Sequence, residues 1–234
     1  MNHYINILLE ELLISLQKEG LQLFENLNDD DFIKHSYNKQ LLGVQGSYHK
    51  KLNIISLRKD CLFPNNESKQ CTILHELIHA VRNKMGKYDK LSSIHSTAKS
   101  RYSAFSKSLQ KDIIEILKIE LTHWREETVA YILSEFILSD NGFSQKHIYG
   151  HNKSLSIWCF NNPSIFSEKE RIVFCNNILK ECIITFNYCK ENYLTHSTTK
   201  HLEPFEKNLN QYINEEIIRN QSIFNKLSKT ISKV

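Results

Sequence analysis

A chain of 234 residues with 41% hydrophobic content is long enough to bury one substantial core, and only six Gly and three Pro among Leu/Ile-periodic runs predict a mostly helical fold. The net charge of +4 is mild and no basic cluster carries interleaved aromatic residues, which argues against a nucleic-acid partner. There is no apolar run of about 18 residues and no basic segment with a cleavage site near the start, so neither a membrane span nor Sec-type export is expected.

Taken in chain order, residues 3–19 predict an amphipathic helix with Ile5, Leu8, Leu9, Leu12 and Leu16 on one side. Asp29-Asp30-Asp31 reads as a solvated loop. Two short strands are expected at Leu41–Gln45 and Leu52–Leu57, joined by a segment that includes Gly46-Ser47-Tyr48-His49. Cys61–Gln70 reads as a loop into a helix that Asn66 or Ser68 can cap and Gly86 can end. Residues 86–106 are polar and predict a long loop or lid, residues 107–138 one or two helices, and Asp140–Pro163 irregular structure. Long helices are expected over 167–191 and 203–230, the second with Leu209, Ile213, Ile217 and Phe224 on one face.

Within the helix that ends near Gly86 stands His75-Glu76-Leu77-Ile78-His79-Ala80, an HExxH motif with apolar residues in both variable positions. Residues four apart lie one turn apart on one helix face, so the two imidazoles can reach one Zn²⁺. Glu76 stands beside that face, where its carboxylate can act as base on a zinc-bound water. The apolar flanks make this a buried helix, and buried His and Glu require partners.

A catalytic zinc site usually takes three protein ligands. Position 82 is Arg, position 85 is Met and no His follows until His95, so the ligand set does not continue as HExxHxxGxxH. A Glu from a second helix is the remaining common solution. The best stretch is Trp124 to Leu133, with Val129, Ile132, Leu133, Phe136 and Ile137 at helical spacing. Glu127 is favoured as ligand because the small Ala130 three residues on would let two helices approach closely. Glu126 is either the alternative ligand or an acceptor for a His or for Arg125.

HELIHA followed by a Glu-Glu-x-x-Ala helix resembles the gluzincin-type zinc metallopeptidases. With Arg82-Asn83 and Gly86 behind it, the motif is similar to bacterial secreted effector and toxin metalloproteases, and Arg125 to Ala130 resembles a segment of antirestriction-type zincins. The likeness covers two short segments. Glu127 is followed directly by Thr128, unlike the effector and neurotoxin pattern, and no separate DNA-binding region is evident. Carried over residue by residue, the resemblance implies His75, His79 and Glu127 as ligands of Zn²⁺ and Glu76 as the catalytic base. It implies an α+β, predominantly helical fold: a zincin-like core over about 36–140 with a small β-sheet, the HExxH helix and the Glu-bearing helix, and a C-terminal helical part over about 165–234, all within one domain, 1–234. In zincins the small sheet precedes the active-site helix, and its edge strand commonly pairs with an extended peptide.

A transition-state oxyanion needs a donor besides the metal. Tyr149, His147 and His151 are candidates, with Arg101-Tyr102 a further possibility, and His123 could support a ligand carboxylate. The six cysteines form no CxxC, and Cys175, Cys182 and Cys189 recur every seven residues, which predicts packed free thiols and a cytosolic working compartment. The expected function is a zinc endopeptidase acting on a host or target-cell protein, delivered by a non-Sec system. The alternative is an antirestriction-like or regulatory zincin-fold protein that binds without cleaving. No oligomeric state is implied.

Overall fold

The architecture is described from a computed structural model over residues 3–36, 45–59, 66–87, 125–134, 137 and 168–231. Helix α1, His3–Lys18, buries the five residues of the expected stripe, Ile5, Leu8, Leu9, Leu12 and Leu16. Their 3/4 spacing gives one apolar face, and burying it supplies most of the helix's stability. Strand β1, Gln22–Leu27, helix α2, Asp29–Ser36, and strands β2, Gly46–His49, and β3, Ile54–Arg58, follow.

The three strands form one sheet in the order β1-β3-β2. β1 pairs with β3 in parallel, Gln22 opposite Ile54, and β2 pairs with β3 antiparallel, Gly46 opposite Leu57. The central β3 is buried along its whole length. Side chains alternate across a sheet, so Ile55 and Leu57 enter the main core while Arg58 on the other face lies over the Phe32 ring of α2 at 4.6 Å and pairs with Asp29.

Two sequence expectations are corrected here. The strand lies at Gly46–His49, the segment expected to connect two strands; Gln45 is irregular and residues 41–44 lie outside the described residues. Its ladder with β3 overrides a composition that reads as a turn. The triple Asp is the first turn of α2, where carboxylates oppose the helix dipole. Asn28 caps it, accepting from the Asp31 backbone N–H at 2.9 Å and donating to the Asp31 carboxylate at 2.7 Å.

Helix α3, Asn66–Lys84, carries the HExxH motif and begins inside the segment expected as a loop. It ends where anticipated, at Gly86 with φ +67°. The Lys87 N–H bonds Arg82 O at 2.9 Å and the Gly86 N–H bonds Asn83 O at 3.0 Å, the paired closure of a Schellman motif. Residues 125–134 form helix α4, with Val129, Ala130, Ile132 and Leu133 buried. Residues 88–124 and 138–167, which include the expected lid and the irregular segment, lie outside the described residues.

Helices α5, Glu168–Tyr193, α6, His196–His201, and α7, Glu203–Ile231, complete the chain. α5 and α7 run antiparallel: Phe186 meets Phe205 edge-on at 4.9 Å, and Asn220 donates to Asn176 at 2.7 Å. Leu209 and Ile213 of the expected α7 stripe are buried, with Ile217 packed beside them. The Cys182 and Cys189 thiols are free and buried in the same apolar cluster that takes in α1, the sheet, α3 and α4. α1 is also tied to the far end of α5. Glu11 accepts from the Thr195 N–H and from the Thr195 and Thr198 hydroxyls, and the Tyr193 hydroxyl donates to Glu19 at 3.2 Å. Among the described residues no helix is long and apolar enough to cross a membrane.

Candidate metal site

α3 lies between the sheet and α4, so its motif residues are almost enclosed. His79 is 0% exposed, and His75 and Glu76 are each 6% exposed. The two imidazoles meet edge-on with Nε2 atoms 3.0 Å apart, which four-residue spacing on one helix face allows. Glu127 of α4 closes the group: its Oε2 is 3.1 Å from His75 Nε2 and its Oε1 is 3.5 Å from His79 Nε2. The three ligand atoms all lie within 4.8 Å of one another.

The group is compact enough for one small cation: ligand atoms about 2.0–2.1 Å from Zn²⁺ stand about 3.3–3.4 Å apart along a tetrahedron edge, and each imidazole nitrogen meets a different Glu127 oxygen, at 3.1 and 3.5 Å. Two ring nitrogens and a carboxylate form a donor set suited to a divalent transition metal, and zinc is the ion that most often takes it. The Tyr131 ring, one turn beyond Glu127 on α4, lies 4.2 Å from the His75 ring and restricts its rotation.

Adjacent glutamates on α4 take different partners. Glu126 turns to Arg82, which donates from Nε at 2.5 Å and from Nη2 at 2.7 Å to the two carboxylate oxygens. Arg125 adds weaker contacts to Glu126 at 3.3 and 3.4 Å. Both carboxylate oxygens of Glu126 are thus engaged away from the imidazoles, and Glu127 is the one that faces them. Burial opposes the charge on Arg82, but Glu126 and Glu181 outweigh it and hold the guanidinium more firmly protonated than usual.

On the sheet side, β2 approaches α3 at a glycine. A Cβ on Gly46 would stand 2.5 Å from Thr72 Cγ2, 3.1 Å from Leu57 Cδ2 and 3.2 Å from Glu76 Cγ. The edge strand therefore runs directly beside the Glu76 side chain. Tyr48 of the same strand donates to Asn53 at 2.9 Å and accepts from Asn83 of α3 at 2.7 Å. Burial, partly offset by the Asn83 bond, pushes the Tyr48 hydroxyl up to about 12.

His75, Glu76, His79, Glu126 and Glu127 are therefore gathered at one place. Tyr149, His147, His151, Arg101, Tyr102 and His123 lie outside the described residues. Sequence reasoning gives Arg82 no role in the site; it enters only as a residue that is not glycine and as part of the Arg82-Asn83 resemblance. Its signal was its position: three residues after His79 and seven after His75, on the stripe that carries both imidazoles. Gly46 was likewise passed over as part of the segment joining two expected strands. Comparison with models of protein families, with curated proteins and with solved structures finds no significant match to the chain.

Proposed function

We propose that this protein is a zinc-dependent endopeptidase that hydrolyses a peptide bond in a protein substrate, with His75, His79 and Glu127 as metal ligands and Glu76 as general base. The observation that carries this reading is the convergence of one carboxylate and two imidazole nitrogens from two helices, with a second carboxylate, that of the buried Glu76, next to the first imidazole in the chain. A bound Zn²⁺ would supply Lewis acidity at the scissile carbonyl and lower the pKa of the attacking water. Glu76 would act as the base that takes a proton from the attacking water and returns it to the leaving amine. Its stem is confined between α3 and Gly46, which limits the carboxylate to few orientations. The helices exclude bulk water around His79, so charge on the ligand carboxylate acts through a low dielectric.

Strand β2 is at the edge of the sheet, paired only with β3 among the described strands. An extended peptide added to that edge would run alongside Glu76, the arrangement expected of a zincin-like core. The free thiols Cys71, Cys182 and Cys189 suit an enzyme that works in a reducing cytosol. With the resemblance of HELIHA to secreted effector proteases, that favours a target-cell protein as substrate.

Two measurements test the reading. Metal analysis of the purified chain should give about one zinc per molecule, lost in His79→Ala and Glu127→Gln. N-terminal peptide profiling of cells exposed to the protein should show new termini that vanish with Glu76→Gln, while that variant keeps its zinc. Full biological activity in Glu76→Gln would overturn the protease assignment and favour action by binding alone.

A further inference from the structure

The fully buried Arg82 makes contacts that leave its guanidinium little freedom. Besides its two bonds to Glu126, Nη2 donates to Glu181 Oε2 at 2.5 Å and Nη1 to Thr185 Oγ1 at 2.9 Å. One side chain of α3 therefore touches α4 through Glu126 and α5 through Glu181 and Thr185. Buried ion pairs of this kind are weak contributors to stability, because desolvation offsets the attraction. What a bidentate guanidinium–carboxylate fork does supply is geometry, since its two parallel bonds fix both distance and direction.

That geometry matters because Glu126 and Glu127 are consecutive. Glu126 grips α3 at Arg82, and Glu127 meets α3 at His75 and His79. The apolar contacts of Val129, Ala130, Ile132 and Leu133 bury α4, but apolar attraction is non-directional and does not by itself select one register. A ligand carboxylate must be placed to about 0.5 Å. Resting on the metal-site reading above, we infer that Arg82 is a positioning residue. Its fork on Glu126 sets the register of α4 on α3 and so presents Glu127 to the two imidazoles, while Glu181 and Thr185 hold the fork in place. Helix α5 thereby helps build the metal site while supplying none of the three ligands.

The test is Zn²⁺ affinity, measured on the full chain by competition with a chromophoric chelator, with thermal unfolding recorded in parallel under metal-free conditions. Arg82→Met/Glu126→Leu replaces the ion pair by apolar groups of similar length and should unfold within a few degrees of wild type, yet bind zinc roughly 10- to 100-fold more weakly. Arg82→Lys keeps the charge and loses the fork, and should also weaken zinc binding. Glu181→Gln should lower affinity in the same direction by a smaller factor. A folded double variant with zinc affinity within twofold of wild type overturns the inference while the metal site stands. If the double variant does not fold, Arg82→Lys decides by the same criterion. Failure of the wild-type chain itself to take up zinc overturns the metal-site reading, and the inference with it.

Discussion

Replacing Gly46 by alanine tests how closely the edge strand is pressed onto the HExxH helix. The added methyl would stand 2.5 Å from Thr72 Cγ2, at least about 1 Å inside ordinary carbon–carbon contact. Thr72 cannot simply rotate away, because its hydroxyl donates to Ser68 O at 3.0 Å and its χ1 is stiff. Leu57 at 3.1 Å and Glu76 at 3.2 Å close the other directions. Overpacking of this kind costs about 1–3 kcal/mol, and loss of the Thr72 hydrogen bond about 1 kcal/mol more if the side chain turns. A total near 2–3 kcal/mol corresponds to a fall of roughly 4–12 °C in Tm for a chain of this size. The assay is thermal or urea unfolding of Gly46→Ala, of Thr72→Ser and of the double variant. Thr72→Ser removes the methyl that clashes and keeps the hydroxyl, so the double variant should recover most of the loss, a coupling of about 1 kcal/mol or more. A Gly46→Ala protein that melts within 1 °C of wild type, or a loss that Thr72→Ser leaves untouched, would refute the reasoning.

Other outcomes follow from the same structure. Gly86→Ala should destabilise by roughly 1 kcal/mol and Gly86→Asn by less, measured by urea titration; the position has φ +67° and open space around it, so the penalty is backbone conformation alone. Burial pushes the Cys182 and Cys189 thiols from 9.0 up to about 12. The unfolded chain then releases these protons at lower pH than the folded one. Their contribution to stability is complete below pH 9 and declines as pH rises toward 12, which a urea midpoint falling across that window would verify and a flat profile would contradict. Both thiols should also stay unlabelled by an aromatic disulfide reagent at pH 8 until the protein unfolds, as followed by peptide mass mapping. Finally, Zn²⁺ at a hundredfold excess over its Kd should stabilise wild type by about 2.7 kcal/mol, seen as a rise in Tm, and Glu127→Gln should show much less.

The helices were largely legible because their apolar positions recur at the helical period. The stripe from Ile5 to Leu16 and the pair Leu209 and Ile213 needed no tertiary information. The HExxH helix and its terminator at Gly86 were equally plain, since spacing and φ preference are local. The sheet was not. Gly46–His49 has the residues of a turn and becomes a strand only through its ladder with β3, and β1 pairs with a segment that begins some thirty residues later. The site was half visible: His75, Glu76 and His79 are fixed by one helix, but Glu126 and Glu127 look alike in sequence. What separates them is Arg82, which occupies Glu126 from another helix. Such long-range partners as Glu181 and Thr185 leave no local pattern to read.

The ties that bind α1 to the end of α5 and the start of α6 join residues between 174 and 187 positions apart. A ribosome adding about 5–20 residues per second would release α1 roughly 10–35 s before Tyr193 and Thr198 exist to meet it. During that interval the first helix can dock on α3, where Lys84 meets Glu19, but Glu11 lacks Thr195 and Thr198 and Glu19 lacks the Tyr193 hydroxyl. Helix α1 is thus made well before the residues that complete its anchoring, and variants at Glu11 should slow the final phase of refolding more than they alter the helical content that precedes it.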